Sequence, residues 1–132
     1  MRHDVKLMNC LLITDGPERA DSEVIAYLQR HQVDYETAAD QMTAIQKAHQ
    51  SVYDVVVLHA ENCGPVDRAI RILKDCNPQV RIIVRAERNS RDLETAVRKE
   101  NIFYYHVDSF GPQEITAALG YALGLSKKRQ DA

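Results

Sequence analysis

The chain has 132 residues, of which 45% are hydrophobic and 27% charged, a composition typical of one soluble globular domain. Its formal net charge of −2 is too mild for a dedicated nucleic-acid-binding domain, and no apolar run approaches the roughly 18 residues of a membrane span. The first residues are charged and predict no signal peptide, so we expect a cytoplasmic protein. Cys10, Cys63 and Cys76 are odd in number and irregularly spaced, which predicts reduced thiols.

The first half of the chain predicts two strand–helix units. An apolar run at residues 10–14 predicts a buried strand, and apolar residues at helical spacing follow it over residues 18–31. Residues 34–39 alternate in character as an edge strand does. Asp40 can then cap a second helix, because its carboxylate can accept from the free N–H groups of a first turn.

The third strand is the centre of the predicted sheet. Residues 54–59 read Asp-Val-Val-Val-Leu-His, and a run of this kind predicts a strand buried on both faces. A third helix follows Pro65 and ends before Pro78. Side chains at the carboxyl end of a central parallel strand point into the crevice where open α/β sheets bind ligands. His59 is therefore the first candidate site residue.

Two further units complete the pattern. Residues 80–84 and 102–107 predict strands four and five. Ser90 can cap the helix between them, Asn101 suits the left-handed turn that ends it, and a fifth helix begins near Pro112. Alternating strands and helices imply right-handed crossovers, so we predict a doubly wound α/β/α sandwich with a parallel sheet.

Five features in one order resemble the receiver domain of response regulators, the CheY-like module of two-component signalling. They are an acid after strand one, the Tyr-Asp-Val-Val-Val-Leu sequence of strand three, an Asn-Pro pair before strand four, an aromatic residue in strand five and a phenylalanine after it. In this chain these are Asp15, residues 53–58, residues 77–78, Tyr105 and Phe110. The resemblance runs from about residue 6 to residue 125 and implies a flavodoxin-like fold with strand order 2-1-3-4-5 and a place in phosphorelay signal transduction.

In that family a partner histidine kinase phosphorylates an aspartate at the end of strand three. The resemblance also implies a Mg²⁺ ion held by an acidic pair after strand one, a hydroxyl after strand four and a lysine after strand five. Here His59 stands at the aspartate position, Asp108 at the lysine position, and the hydroxyl position falls on Ala86 or, with the alignment shifted by one, on Arg85. Asp15 is the remaining acid of the pair. The resemblance thus implies a degenerate pseudo-receiver, with no enzymatic activity, no cofactor, and Mg²⁺ binding lost or weak.

His59 has three interpretations. It can pair with a neighbouring acid, Asp15 or Asp108, which would hold the imidazole charged. It can accept a phosphoryl group itself, or it can join Asp15 and Asp108 in a weak metal site of carboxylate and imidazole ligands. In the family's pocket an aspartate of strand three faces a lysine after strand five. Under the first interpretation the two charges are exchanged, because a cationic His59 faces the acid Asp108.

Other candidate residues lie near the same edge of the predicted sheet. Arg85, Arg88 and Arg91 follow strand four and could attract an acidic partner or a phosphate, or could form a solvated loop. Cys63 is either an ordinary loop cysteine or an oxidant-sensitive thiol. Tyr105 is either a remnant of the aromatic switch of receivers or a packing residue.

The fourth helix, fifth strand and fifth helix form the surface through which receivers dimerise or bind their outputs. In this chain that surface would carry Arg91, Arg98 and Tyr104. We therefore expect a pseudo-receiver that acts in signalling through phosphorylation-independent protein–protein interaction, with a homodimer through this surface as one form and no contact with nucleic acid or membrane.

The alternative function is a small-ligand-binding, metal-binding or phosphotransfer module whose crevice is rebuilt around Asp15, His59 and Asp108. We expect residues 1–125 to form the domain and residues 126–132 to form a basic, disordered tail. The sequence predicts no output domain after residue 125, so the chain either acts alone or is the receiver part of a longer regulator.

Overall fold

The computed structural model describes residues 8–14, 19–60 and 65–125, without the side chains of residues 19–21. Five strands and five α-helices alternate along these residues. The strands are β1 (Asn9–Ile13), β2 (Asp34–Ala38), β3 (Val55–His59), β4 (Arg81–Ala86) and β5 (Tyr104–Val107). The helices are α1 (Arg19–Arg30), α2 (Gln41–Gln50), α3 (Val66–Cys76), α4 (Arg91–Arg98) and α5 (Pro112–Ala122), with a short 3₁₀ helix, Asp108–Phe110, before α5. Asp15, Cys63 and the predicted tail lie outside the described residues.

The described strands form one five-stranded parallel sheet in the order β2-β1-β3-β4-β5. Buried residues of α1 and α5 form a core on one face of this sheet, and those of α2, α3 and α4 form a second core on the other face. The predicted three-layer sandwich and its strand order are confirmed. β3 lies in the middle, so its carboxyl end opens onto the central part of the sheet's edge.

Strand alternation explains how β3 contributes to both cores. All five of its residues are buried. Val55 and Val57 pack in the core beneath α1 and α5, whereas Val56 and Leu58 pack in the core beneath α2, α3 and α4. Successive strand side chains point to opposite faces, so a continuous apolar run is what a sheet covered on both faces requires.

The predicted helix ends are also confirmed. The Asp40 carboxylate accepts from the backbone N–H of Thr43 at 2.8 Å, and the Ser90 hydroxyl accepts from that of Leu93 at 3.2 Å. Asn101 adopts a positive φ of 61° after α4, in the left-handed region that asparagine tolerates. These local signals position α2 and α4, and therefore the loops at the carboxyl edge of the sheet.

β5 begins at Tyr104, two residues later than the sequence pattern predicts. The Phe103 N–H still donates to the Ile82 carbonyl at 2.7 Å, but the Phe103 side chain is 41% exposed. Sequence patterns commonly misplace element ends by this much because the apolar run continues past the last ladder bond.

Cys10 and Cys76 are free thiols, as predicted for these two cysteines. Burial raises the pKa of the Cys10 thiol far above its ordinary value, so it behaves as a small apolar core residue. Within the described ranges, no helix is long and apolar enough to cross a membrane.

Candidate functional site

His59 ends β3 at the carboxyl edge of the sheet and is only 1% exposed. It continues the alternation of Val55 and Val57, so its side chain lies on the sheet face covered by α1 and α5. Among the described residues, the buried polar or charged ones are His59, Arg85 and His106. Burying a polar side chain costs free energy unless the side chain is hydrogen-bonded. We therefore take these three residues as the candidate functional site.

The strand register places the three residues side by side. His59 is the register partner of Arg85 on β4, and Arg85 is the register partner of His106 on β5. Register partners on parallel neighbours point to the same face of the sheet. His59, Arg85 and His106 therefore form one row across three adjacent strands, which we call the buried polar row.

The register also decides between the two alternatives for the family's hydroxyl position. Ala86 packs with Val84 in the core beneath α2, α3 and α4, on the face opposite the buried polar row. Arg85 lies level with His59. The placement of Ala86 in the crevice is thus corrected to Arg85. The physical reason is strand alternation, since a shift of one residue moves a side chain through the sheet.

Asp108 supplies a carboxylate partner for Arg85. Arg85 Nε donates to Asp108 Oδ1 at 3.0 Å, and Arg85 Nη2 lies 3.5 Å from Asp108 Oδ2. This is the two-point geometry in which a planar guanidinium binds a carboxylate most specifically. The Arg85 side chain is 1% exposed and that of Asp108 is 23% exposed, so one partner is fully desolvated and the other keeps some contact with water.

The sequence left two acids as partners for His59, Asp15 or Asp108. Asp15 lies outside the described residues, and the cation that the structure places on Asp108 is Arg85. The reason is topological. Asp108 follows β5, whose neighbour in the sheet is β4, while β3 lies one strand farther away. The short aspartate side chain therefore meets the long side chain of the adjacent strand first.

His106 also lies near the Asp108 carboxylate, at a greater distance than Arg85. Its Nε2 is 3.8 Å from Asp108 Oδ1, its ring stacks on Tyr104, and it meets Phe110 edge-on, each at 6.3 Å between centroids. Burial lowers the pKa of His106, and Arg85 acts in the same direction, whereas Asp108 and Glu114 oppose them. The lowered pKa means that this environment favours the neutral form of the ring.

His106 was not among the predicted site residues, and Arg85 was expected on an exposed rim. A sequence signal for both existed. Arg85 ends an apolar run two residues after Ile83, and His106 lies between two polar or aromatic positions, Tyr104 and Asp108, that share its strand parity. Strand parity groups Arg85 with Ile83 and His106 with Tyr104, but only the register of β4 and β5 shows that Arg85 and His106 lie on one face.

The described residues of the crevice do not fit Mg²⁺. This ion requires oxygen ligands in near-octahedral geometry, whereas the buried polar row presents two imidazoles and a guanidinium, and the Asp108 carboxylate already accepts from Arg85. Within the part of the chain that the structure describes, no group of three or more His, Cys, Asp or Glu side chains could hold a metal ion. Asp15, the third member of the weak metal candidate, lies outside that part.

Tyr105 and the predicted interface residues lie beside the crevice. The Tyr105 ring is 6% exposed, and the Arg98 guanidinium lies 5.8 Å from its centroid. Arg98 Nε also donates to Glu94 at 2.8 Å. On the other side of β5, the Tyr104 hydroxyl donates to Glu114 on α5 at 3.3 Å. Tyr104 and Arg98 thus contact opposite sides of the same edge strand.

The arginines after β4 do not act as one group. Arg88 and Arg91 are exposed, but Arg85 is buried and bound to Asp108. Only the first two can present charge to a partner at the rim.

No protein-family model matches the chain, and no curated protein matches it. Solved structures do. The chain is similar to a CheY-like receiver domain protein from Methanospirillum hungatei JF-1, with a TM-score of 0.79, 13% identity, and coverage of 91% of this chain and 96% of that one. A response regulator from Burkholderia pseudomallei matches with a TM-score of 0.73 and 21% identity over 89% of this chain and 70% of that one. The orphan response regulator HP1043 of H. pylori matches with a TM-score of 0.75 and 14% identity over 88% and 96%. The chain therefore has the flavodoxin-like fold of response-regulator receiver domains.

Proposed function

We propose that this chain is a receiver-like domain of two-component-type signalling that works without phosphorylation, as a non-enzymatic protein–protein interaction module. The observation that carries the proposal is the Arg85–Asp108 ion pair. It occupies the two positions at which the resemblance implies a hydroxyl and a lysine, beside His59 at the position of the phosphoacceptor.

The charges of the crevice support this proposal. Phosphoryl transfer to a carboxylate needs cations that stabilise the transferred group. The carboxylate of Asp108 stands where the family has its lysine, and it would repel a phosphoryl group instead of binding it. The nearest cation, Arg85, is already bound to Asp108 through Nε at 3.0 Å. Recruiting it would take the guanidinium from a largely buried ion pair and leave the Asp108 carboxylate without that partner.

A beryllofluoride titration with Mg²⁺, followed by NMR, tests phosphorylation independence. We expect no saturable shift in the side-chain signals of His59, Arg85 and Asp108, and none in the amide signals of β3 and β4. An ordinary receiver treated with the same reagent is the positive control. Saturable, Mg²⁺-dependent shifts at these residues would overturn the proposal.

His59→Asp sharpens the test, because it restores the carboxylate alone. Arg85 and Asp108 would still stand at the positions of the hydroxyl and the lysine, so we expect no labelling of His59→Asp by a small phosphodonor. Efficient labelling would show that the pocket lies elsewhere than the carboxyl end of β3.

The surface formed by α4, β5 and α5 is the interaction face that we propose. It combines the ion-paired Arg98 and the exposed Arg91 with Tyr104, whose hydroxyl is held by Glu114. Mixed charge around aromatic residues suits a specific, salt-sensitive interface.

Light scattering after size exclusion at several protein concentrations tests the homodimer form of this proposal. We expect a dimer that Arg98→Ala and Tyr104→Ala weaken and that added salt dissociates. Lys47→Ala is the matched control, because Lys47 on α2 forms a partly exposed ion pair with Glu36 on β2, at the opposite edge of the sheet. A monomer at every concentration would rule out the homodimer.

A further inference from the structure

One carboxylate oxygen in the crevice faces two nitrogen donors. Asp108 Oδ1 accepts from Arg85 Nε at 3.0 Å, and His106 Nε2 lies 3.8 Å from the same oxygen. While His106 is neutral, this oxygen accepts its hydrogen bond from Arg85. Protonation would make His106 a second buried cation beside this oxygen, able to form a charge-assisted hydrogen bond that competes with the one from Arg85.

His106 also has unused binding capacity. Its Nδ1 atom is buried and finds no hydrogen-bond partner in the described part of the structure. An unsatisfied buried polar atom is uncommon in a native fold and lowers the cost of moving the ring, because a new position can gain a bond without losing one.

The ring of His106 connects this oxygen to the surface. Phe110, whose ring meets His106 edge-on, is 60% exposed, and Tyr104, which stacks on His106, donates to Glu114 on α5. Asp108 and Phe110 belong to the same three-residue 3₁₀ helix, so the carboxylate and the exposed phenylalanine are held by one short turn.

We propose that His106 is a proton-operated input: protonation of its ring draws Asp108 Oδ1 away from Arg85 and shifts Phe110 and Tyr104 at the surface of β5 and α5. The step is a reversible binding of one proton from solvent to a ring nitrogen. The inference deepens the proposed function, because it rests on a crevice that takes no phosphoryl group and gives that crevice another stimulus.

Three described charged groups act on His106. Asp108 follows β5, Arg85 lies on β4, and Glu114 lies on α5. The two carboxylates favour the protonated ring, and the guanidinium opposes it. Substitutions of Asp108 and Arg85 must therefore move the titration of His106 in opposite directions, which an effect of general destabilisation would not do.

The test is an NMR pH titration of the full chain. We expect the His106 ring signals to titrate with a midpoint below about 6.5, and the signals of Phe110 and Tyr104 to shift with the same midpoint. Asp108→Asn should lower the midpoint and Arg85→Gln should raise it. Glu94→Gln removes a carboxylate on the other side of the sheet and is the matched control, with an unchanged midpoint.

The wild-type titration alone can overturn the inference, even where a variant fails to fold. The inference fails if His106 titrates at or above the ordinary pKa of histidine, or if the signals of Phe110 and Tyr104 do not shift at the His106 midpoint. Shifts of the midpoint in the same direction in Asp108→Asn and Arg85→Gln would also overturn it. The beryllofluoride titration is independent of these signals, so failure of the proposed function is distinguished from failure of the proton input.

Discussion

The Arg85–Asp108 pair can be tested as an energetic unit by a double-mutant cycle. Arg85→Met replaces the guanidinium with an apolar side chain of similar length, and Asp108→Ala removes the carboxylate. Because the Arg85 side chain is 1% exposed, Asp108→Ala takes an acceptor from a desolvated cation, and we expect a loss of about 3 kcal/mol in the free energy of unfolding.

The reverse substitution should cost less. The carboxylate of Asp108 is 23% exposed and can recover hydration when Arg85 is replaced, so we expect Arg85→Met to cost about 1–2 kcal/mol. The double variant contains neither charge. We therefore expect it to be more stable than the sum of the single losses predicts, with a coupling energy of about 1–3 kcal/mol.

Urea unfolding followed by circular dichroism measures all four proteins, and urea leaves the ionic strength unchanged. The pair Arg98–Glu94 is the matched control, because it has a shorter contact of 2.8 Å but is exposed. The double-mutant cycle of this exposed pair should give a coupling energy of about 0.3–0.5 kcal/mol. A coupling energy for Arg85–Asp108 no larger than that of the control would refute the claim that burial makes this pair strong.

Three further predictions concern stability. Since the pKa of His106 is lowered in the folded state, the unfolded chain binds the proton first, so the free energy of unfolding should fall as pH decreases below about 6.5; urea melts at several pH values should show this slope, and His106→Gln should flatten it. Gly111→Ala should cost about 1–3 kcal/mol, because φ is 99° and ψ 158°, a region closed to alanine; Gly124→Ala, with φ of 76° and open space around the glycine, should cost about 1 kcal/mol, and a larger loss there would contradict the reasoning. Ser90→Ala should cost about 1 kcal/mol in thermal melts through loss of the α4 cap, and Ser90→Thr should retain most of that stability.

Most of the fold could be predicted from the sequence because its signals are local. The apolar run of β3 predicts a strand buried on both faces, and the caps at Asp40 and Ser90 predict where α2 and α4 begin. Each signal depends on residues within a few positions of one another, so chain order is enough to read it. The predicted strand ends were less accurate, as at the start of β5, because an apolar run does not show where the hydrogen-bonded pairing of strands begins or stops.

The sequence by itself determined that His59 ends the central strand and that an acid, Asp108, follows the last one. Only the tertiary structure decided which side chain meets that acid. The choice between Arg85 and Ala86 is a shift of one residue, which local patterns do not resolve but which sends the side chain to opposite faces of the sheet. The order of the strands then makes β4, not β3, the neighbour of β5, and so the partner of Asp108 is the buried Arg85, with His106 beside it.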